Sequence, residues 1–249
     1  MMQSMQKAVY ERYAMGARET EPALCCPVNY DPRLLALLPQ EIIEKDYGCG
    51  DPSAYDRPGD VVLDLGSGTG KICYMAAQLT GPGGRVIGVD MNDEMLAVAR
   101  KHQREMARKL GGHHVAFLKG HIQDLALDVT AMEAWLADHP VRSAADLAAL
   151  KARQDKQRRA APLIADGCVD LVISNCVLNL VDEKEKTDVI REIFRVLKPN
   201  GRIAISDIVA DEPVPVGMKN NPELWSGCIS GAFVETEFLK AFTDAGFVR

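Results

Sequence analysis

No stretch of the 249-residue chain approaches the roughly 18 consecutive apolar residues that a membrane-crossing helix requires. The N-terminal "MMQSMQKAVYERY" lacks the apolar core of a secretory signal, so no membrane partner is expected and the expected location is the cytoplasm. Long Lys/Arg blocks are also missing. With a net charge of -6, that argues against nucleic acid as the main partner. The local cluster "KARQDKQRR" (Lys151 to Arg159) is interleaved with other residue types and reads as a solvated helix face. The seven cysteines (25, 26, 49, 73, 168, 176, 228) form no C-x-x-C pair, which disfavours a zinc ribbon. Disulfides are rare in the cytoplasm, so these cysteines are expected to be mostly thiols. Internal repeats are absent.

What the chain does have is an alternation of short β-branched runs and helical patterns, the mark of a doubly wound, mostly parallel α/β sheet. At 47% hydrophobic residues it can build one sizeable core. Strands are expected at Val61 onward ("VVLDL"), Arg85 to Asp90, His114 to Gly120, "CVDLVIS" and Gly201 to Val209. "KICYMAAQL", "NDEMLAVARKHQREMARKL", "EKTDVIREIFRVL" and "TEFLKAFTDAGF" are expected helices. Residues 1–60 are expected to form a helical and loop segment over the ligand site, and 61–249 the main domain. An Ala-rich insertion at about 126–166 separates the third and fourth strands. It is expected to hold two helices, each opening on a Ser or Thr cap. Doubly wound sheets usually continue after a fifth strand, so a truncated C-terminus, or a sheet completed by another chain, is expected.

"DLGSGTG" places Gly66, Gly68 and Gly70 between a strand and a helix. Glycine lets the backbone turn sharply and approach a ligand without a Cβ clash. G-x-G-x-G alone serves packing as readily as binding. Asp90, at the end of the next strand, sits where a carboxylate accepts bonds from ribose hydroxyls, or where it simply opens a helix. The cysteines sort by position. Cys176 follows the fourth strand at the carboxyl edge, where ligands of such sheets bind. Cys228 ("LWSGCISGA") follows the fifth strand, and Cys49 ("DYGCGDP") precedes the first. Each alone reads as a small buried hydrophobe or as a ligand; Cys73 and Cys168 read as packing.

"DLGSGTG" resembles motif I of class I S-adenosylmethionine (SAM)-dependent methyltransferases, a Rossmann-like fold. The resemblance implies Asp64 near the methionyl ammonium, with Gly66, Ser67, Gly68 and Gly70 along the cofactor. It further implies Asp90 on the ribose, Met91 and Ile122 flanking the adenine, and Asn175 in the same set. A dinucleotide oxidoreductase, which needs G-x-G-x-x-G, fits less well. "DYGCGDP", "LDLGSGTGKICY", "GVDM", "DLVISNCVLNLV", "LKPNGRIAISDIV" and "LWSGCISGA" together resemble arsenite methyltransferases from about Tyr10 to the end, outside the insertion. This implies As(III) bound by Cys49, Cys176 and Cys228, with Cys25 or Cys26 completing or delivering it, and a methyl passed from SAM. It also implies a thiol reductant such as glutathione or thioredoxin as partner; the chain is expected to be a monomer. Tyr47 would line the methyl group or simply pack. The alternatives are a SAM methyltransferase for an organic small molecule and a non-catalytic As(III)-binding protein.

Overall fold

A computed structural model describes residues 2–24, 27–112 and 115–248, without the side chains of residues 2–4. The expectations for Cys25, Cys26 and His114 therefore lie outside the described residues. Before the sheet come α1 (Met2–Arg18), α2 (Pro32–Leu35) and α3 (Gln40–Glu44). The sheet and its first crossovers follow as β1 (Val61–Leu65), α4 (Lys71–Thr80), β2 (Arg85–Asp90), α5 (Asp93–Lys101), α6 (Gln103–Lys109) and β3 (Val115–Lys119). Then come α7 (Val129–Asp138), α8 (Ala144–Ala160), β4 (Val169–Asn175), α9 (Lys186–Val196) and β5 (Leu197–Ser206). The chain continues through β6 (Val209–Ala210), α10 (Val216–Lys219), α11 (Pro222–Ser226), β7 (Phe233–Val234) and α12 (Glu235–Asp244). No helix among the described residues is long and apolar enough to cross a membrane.

The main sheet is parallel in the order β3-β2-β1-β4-β5. Its order reverses between β1 and β4, so the loops leaving those two strands part and open a crevice. Along the strands, alternate residues feed two layers. Val62, Val86, Leu171 and Ile173 join Ile72, Tyr74 and Leu96 on one face. Leu63, Leu65, Ile87 and Val172 join Ile190 and Ile193 on the other. Both faces are covered, which is why these strands read as continuous apolar runs.

Three departures from the sequence expectation have local causes. The single helix expected after β2 is broken at His102, where Lys101 Nζ and His102 Nε2 both reach Glu41 of α3 (2.7 and 2.8 Å). The α7 cap is Asp128, whose carboxylate accepts from Ala131 N at 2.9 Å, not Thr130; Ser143 caps α8 as expected. The fifth strand starts at Leu197 and stops at Ser206, because Asp207 captures the backbone N–H groups of Ile208 and Leu178 (both 2.9 Å). Val209 and Ala210 then pair with β7 instead.

Leu171 is fully buried at the centre of the sheet. Leu171→Ala is expected to cost about 2–5 kcal/mol, read as a lowered urea midpoint with an unchanged m-value.

Candidate functional site

The crevice at the carboxyl ends of β1 and β4 is a cavity of about 1070 Å³, counted to its open mouth. Asp64, Gly66, Ser67 and Gly68 line it from β1, Asp90 and Met91 from β2, and Ile122 from the loop after β3. Asn175 and Cys176 line it from the end of β4, and Tyr47 from the N-terminal segment. Gly70, expected with them, does not line it: its missing Cβ faces Phe117 and Ala99, so this glycine serves helix packing. Gly68 has a positive φ of 52° and nothing near where a Cβ would be, leaving its backbone bare towards the cavity. Ser67 Oγ is buried with no hydrogen-bond partner. An orphaned hydroxyl in a cavity wall points to a ligand group that completes it.

Two carboxylates face this space under different constraints. Asp90 accepts from Gly68 N and Asn92 N, both at 2.8 Å. Burial raises its pKa, and those N–H groups pull it back down. Asp64 has less support. Burial pushes its pKa up to about 8, Asp90, Asp56 and Asp46 add to that, and the Cys73 thiol donating at 3.2 Å opposes it. Cys73 is therefore more than packing. Cys168, at the far end of β4, donates to Ala165 O at 3.0 Å.

The expectation of thiols needs correction at two positions: Cys49 and Cys176 are joined by a disulfide, with Cα atoms 5.8 Å apart. What brings them together is Asn175. Its Oδ1 accepts from Cys49 N and Gly50 N (2.9 and 3.0 Å), and its Nδ2 donates to Gly50 O (2.8 Å). The approach is so close that a Cβ on Gly48 would collide with the Asn175 amide, and one on Gly50 with Ser206 Oγ. The glycines flanking Cys49 are thus demanded by contact. Asn175 lines the cavity, but its side-chain amide is committed to this loop.

Cys228 comes to the same corner, donating from Sγ to Cys176 O at 3.2 Å. Its loop is held by Asn179 Nδ2 on Cys228 O (3.3 Å) and by the buried Lys186 Nζ on Gly231 O (2.6 Å). Cys176 and Cys228 both have positive φ, 59° and 63°, in the left-handed region that costs non-glycine residues about 1–3 kcal/mol. Two strained cysteines back to back mark a place where thiol position outweighs backbone comfort. Only Cys176 of the three lines the cavity. No group of three or more His, Cys, Asp or Glu among the described residues is arranged to hold a metal ion.

The N-terminal segment was expected over the site, and α1 lines the cavity through Val9, Tyr10 and Tyr13; the contacts that hold it there were not foreseen. Asn92 Nδ2 donates to Tyr10 O at 2.9 Å, tying α1 to the β2 end, while Arg12 reaches Glu223 O and Ser226 Oγ beside Cys228 (3.0 and 3.2 Å). Tyr13 lies 3.8 Å from Cys228 Sγ, and burial together with that sulfur raises its pKa. Tyr47 lines the cavity, yet its hydroxyl donates to Gly16 O and accepts from Glu21 N (2.9 and 3.0 Å), fastening the end of α1. Asp46 also lines the cavity, holding Lys71 and Tyr30 (3.0 Å each). No motif announced these contacts, because they join segments far apart in the chain.

Asn175→Ala removes the acceptor for two N–H groups. It is expected to destabilise the protein by about 1–3 kcal/mol in chemical denaturation. It should also make the Cys49–Cys176 bond easier to reduce, measured by equilibration with a dithiol buffer.

A methyltransferase-domain family model matches residues 56–246. The chain is 33% identical over 242 residues to an arsenite methyltransferase of Aquipseudomonas alcaligenes, covering 96% of this chain and 60% of the relative. It is 37% identical over 202 residues to an arsenite methyltransferase of Halobacterium salinarum, covering 80% and 41%. Among solved structures, an arsenic(III) S-adenosylmethionine methyltransferase from Chlamydomonas reinhardtii superposes with a TM-score of 0.67 at 32% identity, over 92% of this chain and 62% of that one. The chain thus spans 60% or less of the length of these two curated relatives. A parallel sheet with its cavity at the β1–β4 switch and a family match across the whole of that sheet lead to one conclusion: the chain belongs to the methyltransferase-domain family.

Proposed function

We propose that the chain transfers a methyl group from SAM to trivalent arsenic held by the thiolates of Cys49, Cys176 and Cys228. The observation that carries this reading is that Cys176, which lines the same cavity as Asp64, Ser67 and Asp90, is bonded to Cys49 and accepts at its carbonyl from Cys228 Sγ. The relatives' names support the same substrate. A cytoplasmic monomer is the setting this reading assumes.

The cavity fits the cofactor on its own terms. Ser67 Oγ lacks a partner, Gly68 leaves bare backbone, and the Asp90 carboxylate, with about four lone-pair sites, keeps acceptor capacity for a ribose hydroxyl beyond its backbone N–H bonds. Asp64 is the carboxylate available to an α-ammonium. When bound, SAM supplies an electrophilic methyl whose C–S bonding pair stays on sulfur. Arsenic forms the new As–C bond with its lone pair and is formally oxidised by two electrons. As(III) is a soft centre that prefers thiolate ligands. The left-handed backbones of Cys176 and Cys228 fix two sulfurs, and Asn175 presents the third. No general base is needed, since arsenic has no proton to lose, and orientation of the kind these pins provide is worth about 7–11 kcal/mol in good cases. The Cys49–Cys176 disulfide is the oxidised form of this clamp, so a dithiol or glutathione-type reductant is its partner.

In a labelled-methyl assay with arsenite and a dithiol, Cys176→Ser and Cys228→Ser are each expected to lose at least about 100-fold, the scale expected when orientation is lost. Full activity in both variants would overturn the cysteine clamp, and no methyl transfer to arsenite by the unsubstituted protein would point instead to an organic methyl acceptor. Tight arsenite binding without methylated product would point to a non-catalytic binder.

Asp64 adds a pH signature. Its folded pKa is about 8, so the empty site is protonated at neutral pH while the bound ammonium favours the ionised form. Binding therefore releases a proton. Cofactor affinity is expected to rise up to about ten-fold per pH unit from pH 5.5 to 7.5 and to stop rising as the ligand's own amine deprotonates. Calorimetry in buffers of different ionisation enthalpy checks the released proton, and Asp64→Asn should abolish the slope.

A further inference from the structure

Cys73 takes no part in the clamp just described, and in the sequence it reads as a buried small residue of α4. Its surroundings give it a task. The side chain is fully buried, and its thiol donates to Asp64 Oδ2 at 3.2 Å from the side away from the cavity. Space for the sulfur is made by Gly88 on the neighbouring β2, where a Cβ would come within 2.8 Å of Cys73 Sγ and 2.7 Å of Ser67 Oγ. One missing side chain thus accommodates both the thiol behind Asp64 and the unpartnered hydroxyl beside it. The other groups acting on Asp64 are anionic: Asp90 on β2, Asp56 before β1 and Asp46 after α3. Against them, the Cys73 thiol is the donor that favours the charged carboxylate.

We propose that Cys73 is a positioning residue of the cofactor site, holding Asp64 in place and favouring its ionised form so that it can receive the cofactor's α-ammonium. The inference rests on the cofactor reading above and deepens it. Cys73 keeps its proton throughout, since its burial, Asp64 itself and Asp56 raise its pKa. The proton released on binding therefore comes from Asp64. Without the thiol, more of the empty site is protonated at any pH below about 9, and binding must displace that proton. The penalty depends on pH and fades once Asp64 is ionised in both proteins.

The test uses S-adenosylhomocysteine, which carries the same amino acid portion, with Kd measured by calorimetry from pH 6.5 to 10 for the unsubstituted protein, Cys73→Ala and Cys73→Ser. The Kd ratio of Cys73→Ala to unsubstituted protein cancels the ligand's own titration. It is expected to be about ten-fold near pH 7, the equivalent of one pKa unit, and to fall towards one by pH 10. Cys73→Ser, which retains a donor, should stay close to the unsubstituted protein. A ratio constant across the range would mean that Cys73 acts through packing alone and would overturn the proposal. Should the alanine variant fail to fold, infrared difference spectroscopy on the unsubstituted protein reads the same interaction. Ligand-induced ionisation of Asp64 should then move a buried S–H stretching band to lower frequency, and an unmoved band would overturn the proposal. No binding of S-adenosylhomocysteine by the unsubstituted protein would overturn the cofactor reading itself, whereas binding with a flat ratio would overturn the role of Cys73 alone.

Discussion

The site depends on one side chain, the amide of Asn175. It closes three hydrogen bonds with the backbone of Cys49 and Gly50, and so fastens the segment preceding β1 onto the end of β4. Two chain segments separated by more than a hundred residues are thereby held with their Cα atoms at disulfide distance. The pinning works only because Gly48 and Gly50 bring no side chain into the contact. Everything else at that corner follows from it. Cys228 docks on the Cys176 carbonyl, α1 docks on the Cys228 segment, and the roof of the cavity is set by α1.

Charge is arranged on the same logic of two layers. At the cavity wall, Asp64 is buried and Asp90 half-buried, and only Asp90 receives backbone N–H donors. Asp64 is left with a thiol and three anionic neighbours, which makes the empty site costly to ionise and ready for a cation. Below the cysteine corner, Asp207 gathers backbone N–H groups of its own, and burial lifts its pKa to about 6. Beside it, the buried Lys186 is drawn down by burial while bonding Gly231 O. Lys186, through Gly231 O, and Asn179, through Cys228 O, hold the Cys228 loop.

Much of the frame was legible in the chain. β2 was readable to the residue, and β1, β3 and β4 nearly so, because strands buried on both faces need unbroken apolar runs between turn residues. The glycine loop and Asp90 were equally legible, since a strand, a tight turn and a helix impose residue types locally. What stayed hidden depends on contacts between distant segments. Gly70 looked like its two neighbours but packs on Phe117. Asn175 looked like a cofactor contact and is a pin. Tyr13 carried no motif and Cys73 read as packing, although one approaches the Cys228 sulfur and the other bonds a buried carboxylate. The left-handed backbones of Cys176 and Cys228 left no trace in residue type, whereas Asn200, the other non-glycine residue with positive φ among those described, belongs to a type that tolerates it.

The central claim is that the sulfurs of Cys49, Cys176 and Cys228 meet on one arsenic atom once the disulfide is opened. Arsenic X-ray absorption on the reduced protein loaded with one equivalent of arsenite tests it most directly. A first shell of three sulfurs is expected, falling to two when Cys228 is replaced by serine. A shell dominated by oxygen, or one unchanged by that substitution, would contradict it.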